Sequence, residues 1–386
     1  MTASLTIACL GLLGWIYLIS CRGGFWLAGE RADADQLSWP DDAAWPTVAV
    51  IIPARDEAAM LPHSLGSILA QDYPNLSVIL VDDDSSDGTA AAARQISAKA
   101  RREAFILQGR TLPASWTGKL WALHQGITHT EAMKPPPDYL LLTDADILYV
   151  PGTVKRLVVR AKANGLVLTS LMAKLHCESF AERALIPAFV FFFQMLYPFA
   201  WVNRNTARTA AAAGGCMLVE RLVLEKAGGV AKIRGALIDD CALARVMKAE
   251  GAIWLGLSDH VRSLRKYPEI GDIGRMVARS AYAQLRYSPL LLVATLAGMG
   301  VTYLAPPLLA IIGRYPANAV AIAAWALMML AFLPILRFYR LSPLWAVALP
   351  LIAATYSAFT LDSAYEHWRD RGGTWKGRSQ AISAKR

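Results

Sequence analysis

Val78–Thr89 reads VILVDDDSSDGT. Val78 to Val81 form a short apolar run rich in β-branched residues, and Asp82, Asp83 and Asp84 stand at its end. Asp87–Arg101 follows, Ala-rich and predicted to be a helix, with Ser85 or Ser86 placed to cap it. A buried strand that ends in carboxylates and turns into a helix is the unit of a parallel sheet covered by helices. The same pattern continues on both sides. Upstream, Thr47–Ile52 predicts a strand, Pro53-Ala54-Arg55-Asp56-Glu57 its end, and Glu57–Ala70 a helix; Ser77–Val81 is the next strand. Downstream, Phe105–Leu107 predicts a short strand and Lys119–Thr130 a helix. After the Pro135-Pro136-Pro137 turn, Tyr139–Thr143 predicts a strand ending in Asp144-Ala145-Asp146. The expected class is α/β, with a mostly parallel sheet and helices on both faces.

Ligands of such sheets bind beyond the carboxyl ends of the strands. Here carboxylates crowd that edge. No G-x-G-x-x-G follows the first strand and no G-x-x-x-x-G-K-[ST] occurs, so neither dinucleotide-binding nor P-loop chemistry is indicated. A lone Asp-x-Asp is as readily a turn or a cap. Asp144 and Asp146, however, follow Tyr139-Leu140-Leu141-Leu142, where two carboxylates at a strand end can hold Mg²⁺ or Mn²⁺. Such a cation neutralises a diphosphate and acts as a Lewis acid. His124 and His176 have no second His or Cys at ligand spacing and read as structural. The five cysteines form no CxxC pair; Cys216 and Cys241 read as packing residues.

The 386 residues are 55% hydrophobic and only 18% charged, where a soluble domain carries about 25% charged residues. Disorder and a plain cytosolic enzyme are excluded. The charge is 39 − 30 = +9, which on a membrane protein points to cytoplasmic loops and anionic lipid and not to nucleic acid. Ala3–Cys21 is apolar, with no Lys or Arg before it and Arg22 after it. It reads as an uncleaved anchor with Arg22 on the cytoplasmic side; Leu18–Cys21 also resembles a lipobox. Pro289–Ile312, Ala317–Leu336 and Leu341–Leu361 are each long enough to cross a bilayer. The basic residues Arg369, Arg371, Lys376, Arg378, Lys385 and Arg386 favour an inside C-terminus, which four spans would not give, so the count stays open between three and four. Ala184–Val202, apolar but interrupted by Pro187 and Pro198, reads as an interfacial or partly buried segment. The expected organisation is an anchor over 1–22, a linker over 23–46, a catalytic domain over 47–287, C-terminal membrane helices over 288–362 and a basic tail over 363–386.

Five segments in order, VAVIIPARDE (Val48–Glu57), VILVDDDSSDGT, LLTDADI (Leu141–Ile147), GGCMLVERLVLEKAGG (Gly214–Gly229) and IDDCALAR (Ile238–Arg245), resemble a family 2 glycosyltransferase of the GT-A fold. Together with SWTGKLWALHQG (Ser115–Gly126), RSAYAQLRYSPLL (Arg279–Leu291) and the overall layout, the chain resembles the hopene-associated glycosyltransferase type. The resemblance implies a bacterial inner-membrane enzyme, multi-pass, with its catalytic domain in the cytoplasm. It would transfer a sugar from a nucleotide diphosphate sugar to a lipid acceptor. Pro53, Arg55 and Glu57 would frame base and ribose, with Asp83 or Asp84 beside them. Asp146, helped by Asp144, would reach the metal and diphosphate, and Lys119 the phosphates or donor sugar. Gly214 and Gly215 would form an acceptor loop. Asp239-Asp240 replaces the family's Glu-Asp and supplies the general base, Asp240 first, its ionised form favoured by a helix N-terminus. Gln284-Leu285-Arg286-Tyr287 departs from the Q-x-x-R-W of processive synthases in spacing and in its last residue. Single transfer is therefore expected, with Arg286 on the acceptor side. Two alternatives remain: a polyprenyl-phosphate or ceramide-type transferase, and a membrane scaffold with a decayed transferase domain.

Overall fold

Strands whose residues are apolar on both sides need cover on both faces. A computed structural model of the chain, which describes residues 3–33, 44–369, 374–375 and 378–379, meets that demand with an eight-stranded sheet. Its strands are β1 (Val48–Ala54), β2 (Leu76–Asp82), β3 (Ala104–Gln108), β4 (Tyr139–Leu142), β5 (Ile147–Tyr149), β6 (Leu166–Lys174), β7 (Met217–Glu220) and β8 (Ala252–Ser263). They lie in the order β3-β2-β1-β4-β7-β6-β8-β5. β1, β2, β3 and β4 are parallel, as are β6 and β8, while β7 and β5 run antiparallel to their neighbours. Val48, Val50, Ile52 and Ala54 join one core with Val78 and Leu80, and Ile51 points to the other face. There the Gly118–Glu131 helix seats so closely that a Cβ on Gly126 would stand 2.4 Å from Ile51 Cγ2.

The chain proceeds outward from β1 to β3 and then returns to β1's other side as β4. This reversal opens a crevice between the carboxyl ends of β1 and β4. The loops at this edge hold one another. Asp56 Oδ1 accepts from Ser86 N (2.8 Å), and Asp56 N donates to Ser85 Oγ (3.0 Å). The two serines expected to cap the Ala-rich helix are thus turned to the β1 loop. Gly88, at φ 86°, begins that helix instead, and Asp87 Oδ1 accepts from Thr89 N. The segment before β1 is more than a linker: Leu257 N donates to Glu30 O and Ala32 N to Leu257 O, each at 2.9 Å. The rest of the expected linker, 34–43, and the expected tail at 370–373, 376–377 and 380–386 lie outside the described residues.

A second compact unit is helical and is made of the described residues 3–29, 176–200 and 266–369. Among the described residues four helical stretches are long and apolar enough to cross a membrane: Ala3–Cys21, Phe180–Val202, Pro289–Ile312 and Ala317–Phe338. The set differs from the sequence expectation in two places. Ala184–Val202, read as an interfacial or partly buried segment, belongs to a stretch that the Ser179–Glu182 capping box starts at Phe180 and that is long and apolar enough to cross. The Leu341–Leu361 run is broken: Pro343 opens a 3₁₀ turn, and the next helix, Leu349–Trp368, carries Asp362 and Glu366. Pro289–Ile312 contains a π-helical turn at Gly300–Leu304, and the Thr302 carbonyl there accepts from Trp15 Nε1 at 2.7 Å. His176 Nδ1 lies 2.9 Å from Glu182, a structural partner of the kind expected for it.

Candidate active site

Lys119 sits in the first turn of the Gly118–Glu131 helix, whose N-terminus is capped by Thr117 Oγ1. Its Nζ lies 2.9 Å from Asp144 Oδ1 and 3.0 Å from Asp239 Oδ2. Residues from three separate parts of the chain thus meet on one ammonium group. Burial works against its charge, but Asp144 and Asp239 outweigh burial and hold the lysine protonated, its pKa raised above the ordinary range. Asp239 and Asp240 open the Asp239–Lys248 helix, as the apolar spacing of Leu243 and Met247 requires. Asp240 Oδ2 accepts from Gly214 N at 3.0 Å and Oδ1 from Cys241 N at 2.7 Å. Burial and then the Asp239 charge nevertheless push Asp240 up to about 6, against the pull of Lys119 and the two backbone amides. The helix N-terminus was expected to dominate and does not. Burial beside a like charge wins, giving a carboxylate whose proton affinity suits a general base near neutral pH.

Gly214 is the close-approach point of this cluster. A Cβ there would stand 3.1 Å from Lys119 Nζ, 3.6 Å from Asp240 Oδ2 and 3.8 Å from Asp144 Oδ2. Gly215 belongs to the packing behind it: its Cβ would meet Ile147 at 3.0 Å, and its carbonyl accepts from Thr143 Oγ1 at 2.7 Å. Cys216 and Cys241 are fully buried, as packing residues should be.

On the other side of the Asp144-Ala145-Asp146 turn, Asp146 Oδ2 pairs with Arg265 Nε at 2.7 Å, and Arg265 Nη2 reaches Glu57 Oε1 at 2.6 Å. Burial, then the Asp144 charge, raises the Asp146 pKa, and Arg265 opposes that rise. Glu57 is buried and faces Arg265, and its backbone N donates to Thr89 Oγ1. Arg55 donates to the Asp83 and Asp84 carbonyls and lies 3.8 Å from Asp83 Oδ2, tying the end of β1 to the end of β2. Pro53 is part of β1, opposite Val81. Arg286 belongs to the helical unit, in the turn after Ala281–Gln284, at φ 54°.

Among the described residues no three His, Cys, Asp or Glu side chains gather as a metal site. Asp144 and Asp146 still suit a hard divalent cation. They are two oxygen donors whose like charges crowd one turn, and Mg²⁺-type ions take one or two carboxylates and complete their shell with phosphate and water.

Arg265 is the site residue that the sequence pattern alone did not single out. It stands just past β8, in Leu264-Arg265-Lys266, at a strand end like those that carry the acids. Leu264 N donates to Asp146 O at 2.8 Å, which brings this strand end onto the Asp turn.

The sheet, its switch-point crevice and the acids on it define a GT-A fold, and residues 49–228 match the family model described as glycosyl transferase family 2. The matched stretch is a little under half of the 386 residues, and over it the chain resembles a glycosyl transferase domain. A mannosyltransferase from Pyrobaculum calidifontis, solved in complex with GDP-Man and Mn²⁺, is similar in fold. It has a TM-score of 0.56 at 20% identity, over 95% of this chain and 99% of that one. Two relatives named 4,4'-diaponeurosporenoate glycosyltransferase are similar over shorter stretches. The Staphylococcus haemolyticus (strain JCSC1435) protein is 38% identical over 101 residues, 26% of this chain and 24% of that one. The Staphylococcus aureus (strain MRSA252) protein is 33% identical over 103 residues, 27% and 24% respectively. The chain spans about a quarter of the length of these curated relatives in the match.

Proposed function

We propose that the chain is a membrane-bound inverting glycosyltransferase that moves one sugar from a nucleotide diphosphate sugar to a lipid acceptor. The observation that carries this reading is the cluster in which Lys119 joins Asp144 to Asp239, with Asp240 and Gly214 beside it. It sets a cation for phosphate, a carboxylate for a proton and a bare backbone for close approach on one edge of the crevice.

The acceptor hydroxyl attacks the anomeric carbon from the face opposite the diphosphate, and its proton passes to the Asp240 carboxylate. The bond from the anomeric carbon to the diphosphate oxygen breaks through an oxocarbenium-like transition state. Lys119, held charged by Asp144 and Asp239, meets the negative charge that collects on the departing phosphate. Asp239 holds Lys119 and so orients the pair. Asp144 and Asp146 would hold a divalent cation, which when bound supplies Lewis-acid neutralisation of the diphosphate. Arg55, Asp83 and Asp84 at the ends of β1 and β2 are the side for base and ribose, with Pro53 and Glu57 framing it.

The apolar helices support attachment to a membrane, and Arg22 together with the family resemblance supports a cytoplasmic catalytic domain in a bacterial inner membrane. The sequence resemblance favours a hopanoid acceptor. A carotenoid-type lipid is the second reading, favoured by the names of the Staphylococcus relatives.

The test is nucleoside diphosphate release by the purified full chain, given a panel of nucleotide sugars with and without added hopanoid or carotenoid carboxylate lipids. Release that depends on one lipid class supports the reading and chooses the acceptor. No release with any donor and lipid overturns it.

A further inference from the structure

Resting on the transferase reading above, we propose that Arg265 is a diphosphate-binding residue of the donor site, the partner of Lys119 on the other side of the Asp144-Ala145-Asp146 turn. Three observations carry the assignment. The first is position. β8 reaches the turn through its antiparallel pairing with β5, Ser263 opposite Ile147, and Leu264 N is fixed on Asp146 O at 2.8 Å. Arg265 therefore leaves the backbone at the β1–β4 crevice.

The second is layering. The side chains of Glu57 and Asp146 are 10% and 12% exposed, and that of Arg265 is 31% exposed. Arg265 is thus the most exposed of the three charged groups and can be reached by an incoming anion. The two carboxylates hold it through Nε and Nη2, at 2.7 and 2.6 Å. That fixes the orientation of its plane before any ligand arrives, and a guanidinium stays charged at any working pH.

The third is symmetry about the turn. Each aspartate carries its own cation, Lys119 on Asp144 and Arg265 on Asp146. A diphosphate spreads its charge over two groups and so matches two cations flanking one turn. Arg265 thereby selects for the second phosphate.

The experiment uses the purified full chain in detergent with Mn²⁺, and compares calorimetric binding of UDP and GDP with UMP and GMP. In the wild type the diphosphate of the preferred base binds more tightly than its monophosphate. Arg265→Gln is expected to weaken diphosphate binding about 10–100-fold, the worth of a charge-assisted hydrogen bond, and monophosphate binding less than about threefold. Arg265→Lys keeps the charge without the fork and should fall between the two. Mn²⁺ affinity without nucleotide, read by electron paramagnetic resonance, should hold or rise in Arg265→Gln, because a competing cation has gone from Asp146.

An unchanged ratio of diphosphate to monophosphate affinity in Arg265→Gln overturns the assignment. So does an equal loss of both nucleotides together with Mn²⁺, which marks a residue that only supports the fold. A wild type that binds no nucleoside diphosphate overturns both this assignment and the transferase reading, so the two failures are told apart.

Discussion

Replacing Asp240 with Asn removes the proposed base while keeping its shape. The structure gives this change two opposite effects. Burial and Asp239 raise the carboxyl from 3.8 to about 6, a shift already net of the hydrogen bonds from Gly214 and Cys241. A folded-state value above the unfolded one means that the folded protein binds the proton more tightly. Wild-type stability therefore falls as pH rises from about 4 to about 6, and the full cost of the buried charge is present above that window. At about 1.4 kcal/mol per unit, the cost is at most about 3 kcal/mol, and because Asp240 is only half-buried, solvent screening trims it to about 1–2 kcal/mol. Asn mimics the neutral acid in charge but offers one acceptor oxygen to the two backbone amides, so Asp240→Asn loses one hydrogen bond, about 1 kcal/mol, at every pH; its stability relative to wild type should still rise by about 1–2 kcal/mol from pH 4 to pH 8. Transfer should fall about 10²–10⁴-fold with donor affinity nearly unchanged, and the wild-type rate should drop as pH falls below about 6. The assays are thermal unfolding in detergent at both pH values, donor binding, and transfer rate. An Asp240→Asn protein whose stability relative to wild type does not rise from pH 4 to pH 8, or that transfers at a near-normal rate, refutes the reasoning. In the second case, loss of transfer in Asp239→Asn would move the base one residue upstream.

Asp146→Ala should weaken nucleotide-sugar binding and abolish its dependence on Mg²⁺ or Mn²⁺; wild-type donor binding that ignores EDTA would falsify the metal role. Gly214→Ala places a methyl group 3.1 Å from Lys119 Nζ, the mobile end of a side chain, so the protein should fold with a stability change under about 1 kcal/mol. Transfer by that variant should nonetheless fall at least about tenfold, and unimpaired transfer would show that the approach at Gly214 is not used. A topology reporter fused after Gly235 should be active only in its cytoplasmic form, and periplasmic activity would reverse the proposed orientation.

In the first half of the sheet β1, β2 and β4 were legible because each is a run of apolar residues with acids close after it or at its end. β1, β2 and β4 fall within one or two residues of the stretches that Thr47–Ile52, Ser77–Val81 and Tyr139–Thr143 marked. The second half was not. β5 and β7 have three and four residues, too few for a pattern, and β8 mixes Ser258, Asp259, His260 and Arg262 into its run. Arg265 was hidden with β8, although Asp144, Asp146, Asp239, Asp240 and Lys119 could all be named from their places beside predicted elements. The meeting of Asp144 and Asp239 on the Lys119 ammonium group is a tertiary fact, set by the seating of Gly126 on Ile51 and by the glycine at 214. Hydropathy located the apolar helices but not their ends, which depend on the Ser179–Glu182 cap and on Pro343.

Mass spectrometry of lipids from cells that express the wild type, Asp240→Asn or neither puts the proposed transfer to its plainest trial. A lipid enlarged by one sugar residue should be present with the wild type and absent from the other two. The same glycolipid at equal abundance in all three would contradict the proposed transfer.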